Sequence, residues 1–323
     1  MAFKQDYQLH KELLLALSYT RYKVTEVFEG VHTLQPRENQ SAKIDLSIFT
    51  MVHGNEIGGL KALNEYLKEL IDGKTTTSLN LALVVGNPRA AKKNVRFTDF
   101  DMNRCFGVSS GTGYELARAK ELEKILDISE FTLDIHQTAD PTLSDFFIFP
   151  NTPSNVRWVK NIGQGAPVIV HGLDFSSQGQ TSDVYAAIKN KTAVTYEMGE
   201  RGEDPDQILK TQKLIANAVD YVGSLEANKI KSITSALVFS FSQSVQKDQA
   251  GRLKPGLINL APVVAGEVIG WDLDLDLKVL ESGLLLFPKY GEEAKKSNEL
   301  VQVVVEIEVD LSEASEPQMS GWL

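Results

Sequence analysis

The chain has 323 residues, about twice the ~150 expected of one domain, and 42% hydrophobic with 24% charged residues is ordinary globular composition, which excludes disordered, collagen-like and coiled-coil chains. Asp and Glu outnumber Lys and Arg by 43 to 33, so the net charge of -10 opposes a phosphate backbone and nucleic acid is excluded as a partner. The longest apolar runs, residues 13–17 and 283–287, fall far short of the ~20 residues that span a bilayer.

In the N-terminal stretch Asp6 and Glu12 precede the Leu-rich run and no small-residue cleavage site follows, so it reads as mature protein. One cysteine, Cys105, rules out an internal disulfide and fits a reducing compartment, with the cytoplasm as the default. Residues 44–52 read as a buried strand, after which Ile57, Leu60, Leu63, Leu67 and Leu70 recur at helical spacing until Asp72-Gly73. Residues 79–86 predict a second strand, 115–126 a helix with Leu116, Ala119, Leu122 and Leu126 on one face, 130–135 a third strand and 192–197 a fourth. Asp204-Pro205-Asp206-Gln207 combines an N-cap, a first-turn proline and a Gln three residues on, predicting a helix to about Val222. Such alternation is the pattern of an α/β fold. The polar residues 226–232 read as a linker, with a boundary near 231. Beyond it, Val301, Val303, Val305, Ile307 and Val309 alternate with mostly polar partners, and Gly251, Gly256, Gly266, Gly270 and Gly283 punctuate short strands. The tail reads as a small all-β domain.

In open α/β sheets ligands bind outside the carboxyl ends of the strands, and polar residues gather at four such ends here. His53-Gly54-Asn55-Glu56 follows the first strand, and His and Glu three residues apart can face one divalent ion; a strand-capping His and a Glu favouring the positive end of a helix satisfy the same pattern. His136, 80 residues after Glu56, ends the third strand and would complete a His/Glu/His set that leaves a position for water, as in catalytic zinc sites; a lone His there is otherwise a satisfied core residue. Asp134, on the same side of that strand, can orient a ligand. His10, His32 and His171 read as structural. Glu197 emerges from an apolar strand as either a salt-bridged residue or a general base, with Glu200 as the fallback base and Glu200/Arg201 otherwise a solvated pair. Residues 87–106 concentrate cations in an acidic protein, which suits an anionic substrate; the planar forks of Arg96 and Arg104 read carboxylates better than the solvated Lys92 and Lys93. Cys105 is read as a buried, inert thiol, against a minor alternative in which His136 activates it as a nucleophile.

In this order and spacing the motifs resemble the succinylglutamate desuccinylase/aspartoacylase family, relatives of the zinc carboxypeptidases. The resemblance runs over roughly residues 43–201 through HGNE with its helix, the loop NPRAAKKNVRFTDFDMNRCF, DIHQT and YEMG, and is loose in the tail, resting there on strand texture and LLLFPKY. It implies a three-layer α/β/α zinc carboxypeptidase-like domain with a mixed sheet over residues 1–231, followed by a smaller all-β domain over 232–323. It further implies one zinc per chain held by His53, Glu56 and His136, Glu197 as the catalytic carboxylate, Arg96 as the group polarising the scissile carbonyl, and Asn103 with Arg104 as the clamp on the amino acid carboxylate. The reaction implied is cleavage of the amide of a small anionic N-acyl amino acid such as N-succinylglutamate or N-acetylaspartate. The sequence departs from the aspartoacylases where they place a further arginine shortly before the catalytic Glu: residues 180–194 offer only Lys189 and Lys191. Tyr290 is the candidate for the family's C-terminal tyrosine that closes over substrate. Two rival readings use the same residues: a carboxypeptidase-like peptidase acting on short peptides or cell-wall fragments, and a non-catalytic metal-binding module.

Overall fold

The computed structural model describes residues 2–39, 41–173, 180–225 and 233–312. In chain order the elements are α1 (Ala2–Ser18), β1 (Tyr22–Phe28), β2 (Val31–Pro36), β3 (Ile44–Thr50), α2 (Gly58–Ile71), β4 (Leu81–Val85), α3 (Pro88–Lys93), α4 (Tyr114–Ile128), β5 (Ser129–Thr138), β6 (Phe146–Pro150), α5 (Pro153–Ile162), β7 (Val168–His171), α6 (Ser182–Ile188), β8 (Thr192–Glu200) and α7 (Pro205–Leu225). The tail adds β9 (Ser235–Gln246), β10 (Arg252–Leu253), β11 (Pro262–Val263), β12 (Val268–Asp272), β13 (Leu275–Lys278), β14 (Gly283–Leu286), α8 (Gly291–Lys296) and β15 (Glu299–Asp310).

Twelve strands form one mixed sheet in the order β1-β2-β4-β3-β5-β8-β6-β7-β9-β15-β14-β11. Its centre, β4-β3-β5-β8, is parallel, so the carboxyl ends of β3, β5 and β8 lie side by side. Parallel strands must be covered on both faces. On one face the α2 stripe Leu60, Leu63, Leu67 and Leu70 is buried, and Leu63, Leu67 and Leu70 share a core with Leu14 and Leu17 of α1, Trp158 of α5 and Ile215 and Val219 of α7. On the other, Ala119, Leu122 and Leu126 of α4 pack with Phe49, Ala82, Phe106 and Tyr185. This is the expected three-layer arrangement.

The anticipated strands and helices are present, with ends shifted by a few residues. The hairpin β1–β2, the helices α1, α5 and α6, and strands β6 and β7 carry no signal that the periodicity reading used. The tail is β-rich, as expected: β9 pairs in parallel with β7, so β9, β15, β14 and β11 extend the same sheet, while β10, β12 and β13 form a separate three-stranded one. Phe146, Ile148 and Ile169 share a buried cluster with Leu260, Leu286 and Val304, so packing continues across this seam. The expected linker and boundary, residues 226–232, lie outside the described residues.

Candidate metal centre

β3 ends at Thr50, and the chain turns at Met51, whose backbone is left-handed (φ 53°), a conformation costing a bulky side chain on the order of 1 kcal/mol. That turn brings His53 and Glu56 over the strand ends, ahead of the α2 N-terminus. Gly54 is required here because a Cβ would collide with the backbone of Ala90 and Ala91 in α3. Gln137 ties the floor together: its Oε1 accepts from Gly58 N at 2.8 Å, and its Nε2 donates to Glu200 O and Gly202 O at 3.1 and 3.2 Å.

His53, Glu56 and His136 converge, with one ligand atom from each within 4.8 Å of the others, and all three are buried. His53 Nδ1 lies 2.9 Å from Glu56 Oε1, His136 Nδ1 lies 3.0 Å from Glu56 Oε2, and the two Nδ1 atoms are 3.1 Å apart. Two imidazole lone pairs aimed at one point repel each other unless a cation or a proton lies between them, so this donor set fits a divalent metal. Asp101 Oδ1 sits 3.0 Å from His53 Nε2, and Asp134 Oδ1 sits 3.1 Å from His136 Nε2. A carboxylate at each Nε2 favours the tautomer that leaves Nδ1 free as a ligand. Burial alone would disfavour charge, yet the surroundings overcome it: His53 and His136 hold the Glu56 carboxyl well below its usual range, and Asp134 and Glu56 raise His136 well above the ordinary imidazole value.

Glu197 of β8 is in parallel register with His136 of β5, so both side chains emerge on one face of adjacent strands. Its Oε2 is buried without a hydrogen-bond partner among the described residues. Burial, only partly offset by His136, pushes its carboxyl up to about 7. Glu200 is exposed, which removes it from this cluster.

The cationic loop is held by a buried carboxylate. Glu115 accepts from Thr98 N at 2.7 Å, Asp99 N at 3.0 Å, Phe100 N at 3.3 Å and Asn87 Nδ2 at 3.1 Å. Arg96 thereby reaches Glu56 Oε1 at 3.3 Å, and its Nε and Nη2 donate to Asp101 Oδ2 at 3.2 and 3.1 Å. The Asn103 amide lies 3.3 Å from His136 Nε2. Arg104 donates to Asn103 O at 2.6 Å and makes no ion pair among the described residues. The periodicity and motif reading gave Asp101 no role. A carboxylate between two arginines five and three residues away was the available signal, but its contact with His53 depends on the folded loop.

Other candidates fall away from the site. Cys105 Sγ donates to Asp101 O, and burial pushes the thiol up to about 11, so it stays protonated and inert. Lys189 and Lys191 bond Asp127 and Glu130. Glu130 is six residues before His136 on β5, roughly 20 Å away at ~3.3 Å per residue, so neither lysine serves the strand carboxyl ends. The Tyr290 hydroxyl is committed within the tail to Lys254 O and Leu257 O, both at 3.0 Å. His10 pairs with Asn64, and His171 with Gly172 O, each at 2.8 Å. The tail does approach the strand ends: Asn259 N donates to Pro141 O at 3.0 Å, and Leu143 N to Asn259 O at 3.1 Å, in the segment just after β5.

Fold and site together define an α/β protein with a candidate divalent-metal centre at the carboxyl ends of its parallel strands. The family model for the succinylglutamate desuccinylase/aspartoacylase catalytic domain matches residues 42–222. Succinylglutamate desuccinylase of Pseudomonas putida (strain GB-1) is 23% identical over 280 residues, covering 80% of this chain and 83% of that protein. A probable aspartoacylase of Parasynechococcus marenigrum (strain WH8102) is 28% identical over 148 residues, 42% of this chain and 48% of that one. Among solved structures, murine aminoacylase 3 aligns with a TM-score of 0.68 at 18% identity, covering 84% of this chain and 98% of that one. Succinylglutamate desuccinylase from Vibrio cholerae gives 0.67 at 18%, covering 91% and 94%. The chain belongs to the succinylglutamate desuccinylase/aspartoacylase family, a family of amidohydrolases. Among the described residues, no helix is long and apolar enough to cross a membrane.

Proposed function

We propose that this protein is a cytoplasmic, zinc-dependent hydrolase that cleaves the amide bond of a small anionic N-acyl amino acid, with residues 1–231 as its catalytic unit and 232–323 as a smaller β-rich unit. One zinc per chain, held by His53, Glu56 and His136, supplies Lewis acidity toward water and the substrate carbonyl. Glu197 takes the proton from the attacking water and returns it to the leaving amine. A buried carboxyl at about 7, with a free oxygen, is suited to both transfers near neutral pH, and a nearby cation lowers it further toward the base form. Arg96 faces the growing charge on the carbonyl oxygen, a preorganised contact worth about 3 kcal/mol in the transition state. Asn103 and Arg104 hold the substrate carboxylate, and the feature that favours an anion is that Arg104 has no carboxylate partner among the described residues, its one bond going to Asn103 O.

The observation that carries this reading is the register of Glu197 opposite His136, beside a buried His/Glu/His cluster. Acetyl, succinyl and longer acyl derivatives of Asp, Glu and neutral amino acids, together with short peptides, are incubated with zinc-loaded protein and free amine is followed. Release from acyl amino acids ahead of peptides is expected. Faster peptide cleavage selects the peptidase reading, and no release from any compound in protein that retains zinc selects the non-catalytic one.

A further inference from the structure

Two residues before His136 and Glu197, on the same faces of β5 and β8, stand Asp134 and Thr195, which are in parallel register with each other. The first turn of α6 holds both. The Ser182 hydroxyl donates to Asp134 Oδ2, and Thr195 Oγ1 donates to Asp183 Oδ2 at 3.0 Å. Asp134 and Ser182 are fully buried. No lysine or arginine pairs with Asp134 among the described residues: its Oδ1 lies 3.1 Å from His136 Nε2, and Ser182 serves the other oxygen.

An Asp carboxylate turns about its Cβ–Cγ bond over a broad range, so one contact at Oδ1 does not fix its plane, whereas a second donor at Oδ2 does. The plane matters because His136 Nε2 has a competing neighbour, the Asn103 amide at 3.3 Å. With the carboxylate held, the imidazole keeps Nε2 toward Asp134 and Nδ1 toward His53 and Glu56, at 3.1 and 3.0 Å. The helix does not need this hydroxyl for itself. Its N-cap is Thr181, whose side chain accepts from Val184 N at 3.4 Å. The entry to α6 is also fixed from outside, since Gln180 N donates to Phe106 O at 3.2 Å, at the end of the cationic loop.

We infer that Ser182 is a positioning residue of the metal centre: its hydroxyl sets the plane of the Asp134 carboxylate, which in turn aims the His136 ring. This rests on the reading of His53, Glu56 and His136 as a metal site. Asp183 and Thr195, bonded to each other under the same helix turn, lie beside this path and not on it.

Zinc affinity by chelator competition, and the visible absorption of cobalt-loaded protein, which reports ligand geometry at the ion, test this. Outer partners of ligating histidines carry roughly 10–100-fold of metal affinity, and Ser182 stands one contact further out, so Ser182→Ala is expected to weaken zinc about three- to tenfold and to shift the cobalt bands. Thr195→Val, an equal loss of a buried hydroxyl contact under the same helix, is expected to lower the melting temperature and leave zinc affinity and the cobalt bands unchanged. In an Asp134→Ala background, where no carboxylate is left to hold, adding Ser182→Ala has no further effect on zinc. Circular dichroism confirms folding of each variant, and if Asp134→Ala does not fold, the two single variants decide. The inference is overturned if Ser182→Ala holds zinc as tightly as the parent, if Thr195→Val weakens it as much as Ser182→Ala, or if Ser182→Ala costs as much in the Asp134→Ala background as alone. A parent protein that takes up neither zinc nor cobalt overturns the metal reading and this inference with it, a result seen before any variant is compared.

Discussion

Asp101 gives the sharpest test of how the centre is assembled. Its two oxygens divide between the site's main parts, Oδ1 to His53 Nε2 at 3.0 Å and Oδ2 to Arg96 at 3.1 and 3.2 Å. Burial resists ionisation, but His53 and then Arg96 hold this carboxyl far below the usual range, so it is charged throughout the working pH range. Asp101→Asn preserves the shape and removes the charge. The amide oxygen can still accept from His53, but the amide N–H₂ faces a guanidinium, and the charge-assisted bonds to Arg96, each worth roughly 1.5–3 kcal/mol, are lost. Loss of such a partner behind a metal-bound histidine typically costs 10–100-fold in affinity, about 1.4–2.8 kcal/mol. Zinc affinity measured by chelator competition should therefore fall 10–100-fold, and kcat/KM at saturating zinc should fall further because Arg96 is no longer aimed. An Asp101→Asn variant that holds zinc as tightly as the parent, while His53→Ala loses it, would refute the argument that this carboxylate orients the ligand.

Glu197→Gln should keep one zinc per chain and lose turnover by at least 100-fold, read by metal analysis beside the amine-release assay; metal loss instead would make Glu197 a ligand. Arg104→Ala should raise KM at least tenfold with a smaller effect on kcat, because the substrate carboxylate bears the same charge before and during reaction, and a fall confined to kcat would contradict that role. His10 is fully buried, and burial lowers its imidazole from 6.5 to about 4. Between those pH values the unfolded chain binds a proton that the folded chain does not, so stability is complete above 6.5 and declines by roughly 3 kcal/mol as pH falls toward 4. Thermal melts of the parent and His10→Gln across pH 4–8 should differ in slope below 6.5, and parallel curves would count against this account.

Local sequence was sufficient for much of the outline. The apolar run before His53, the leucine stripe of α2 and the alternation around Val303 each report a covered face, because burial period follows directly from helix or strand geometry. The same reading placed His53, Glu56, His136 and Glu197 at strand ends, where side chains from separate strands can meet. It did not reach β6 and β7, whose short apolar runs have no period distinguishing strand from helix. Nor did it reach the continuation of the sheet into the tail, since the pairing of Ile169 with Phe239 and Val170 with Ser240 spans about seventy residues.

What the sequence determined by itself was the inventory: which donors, which cations and which apolar faces exist, and their order along the chain. Tertiary structure decided which of them meet. Asp101 serves His53, Asp134 faces His136, and Lys189 and Lys191 are carried to the far ends of the strands. Those outcomes depend on strand register and on the fold of the loop held by Glu115. Hydrogen-bond and ion-pair partners are selected by distances of about 3 Å between segments far apart in the chain, and no local periodicity encodes such distances.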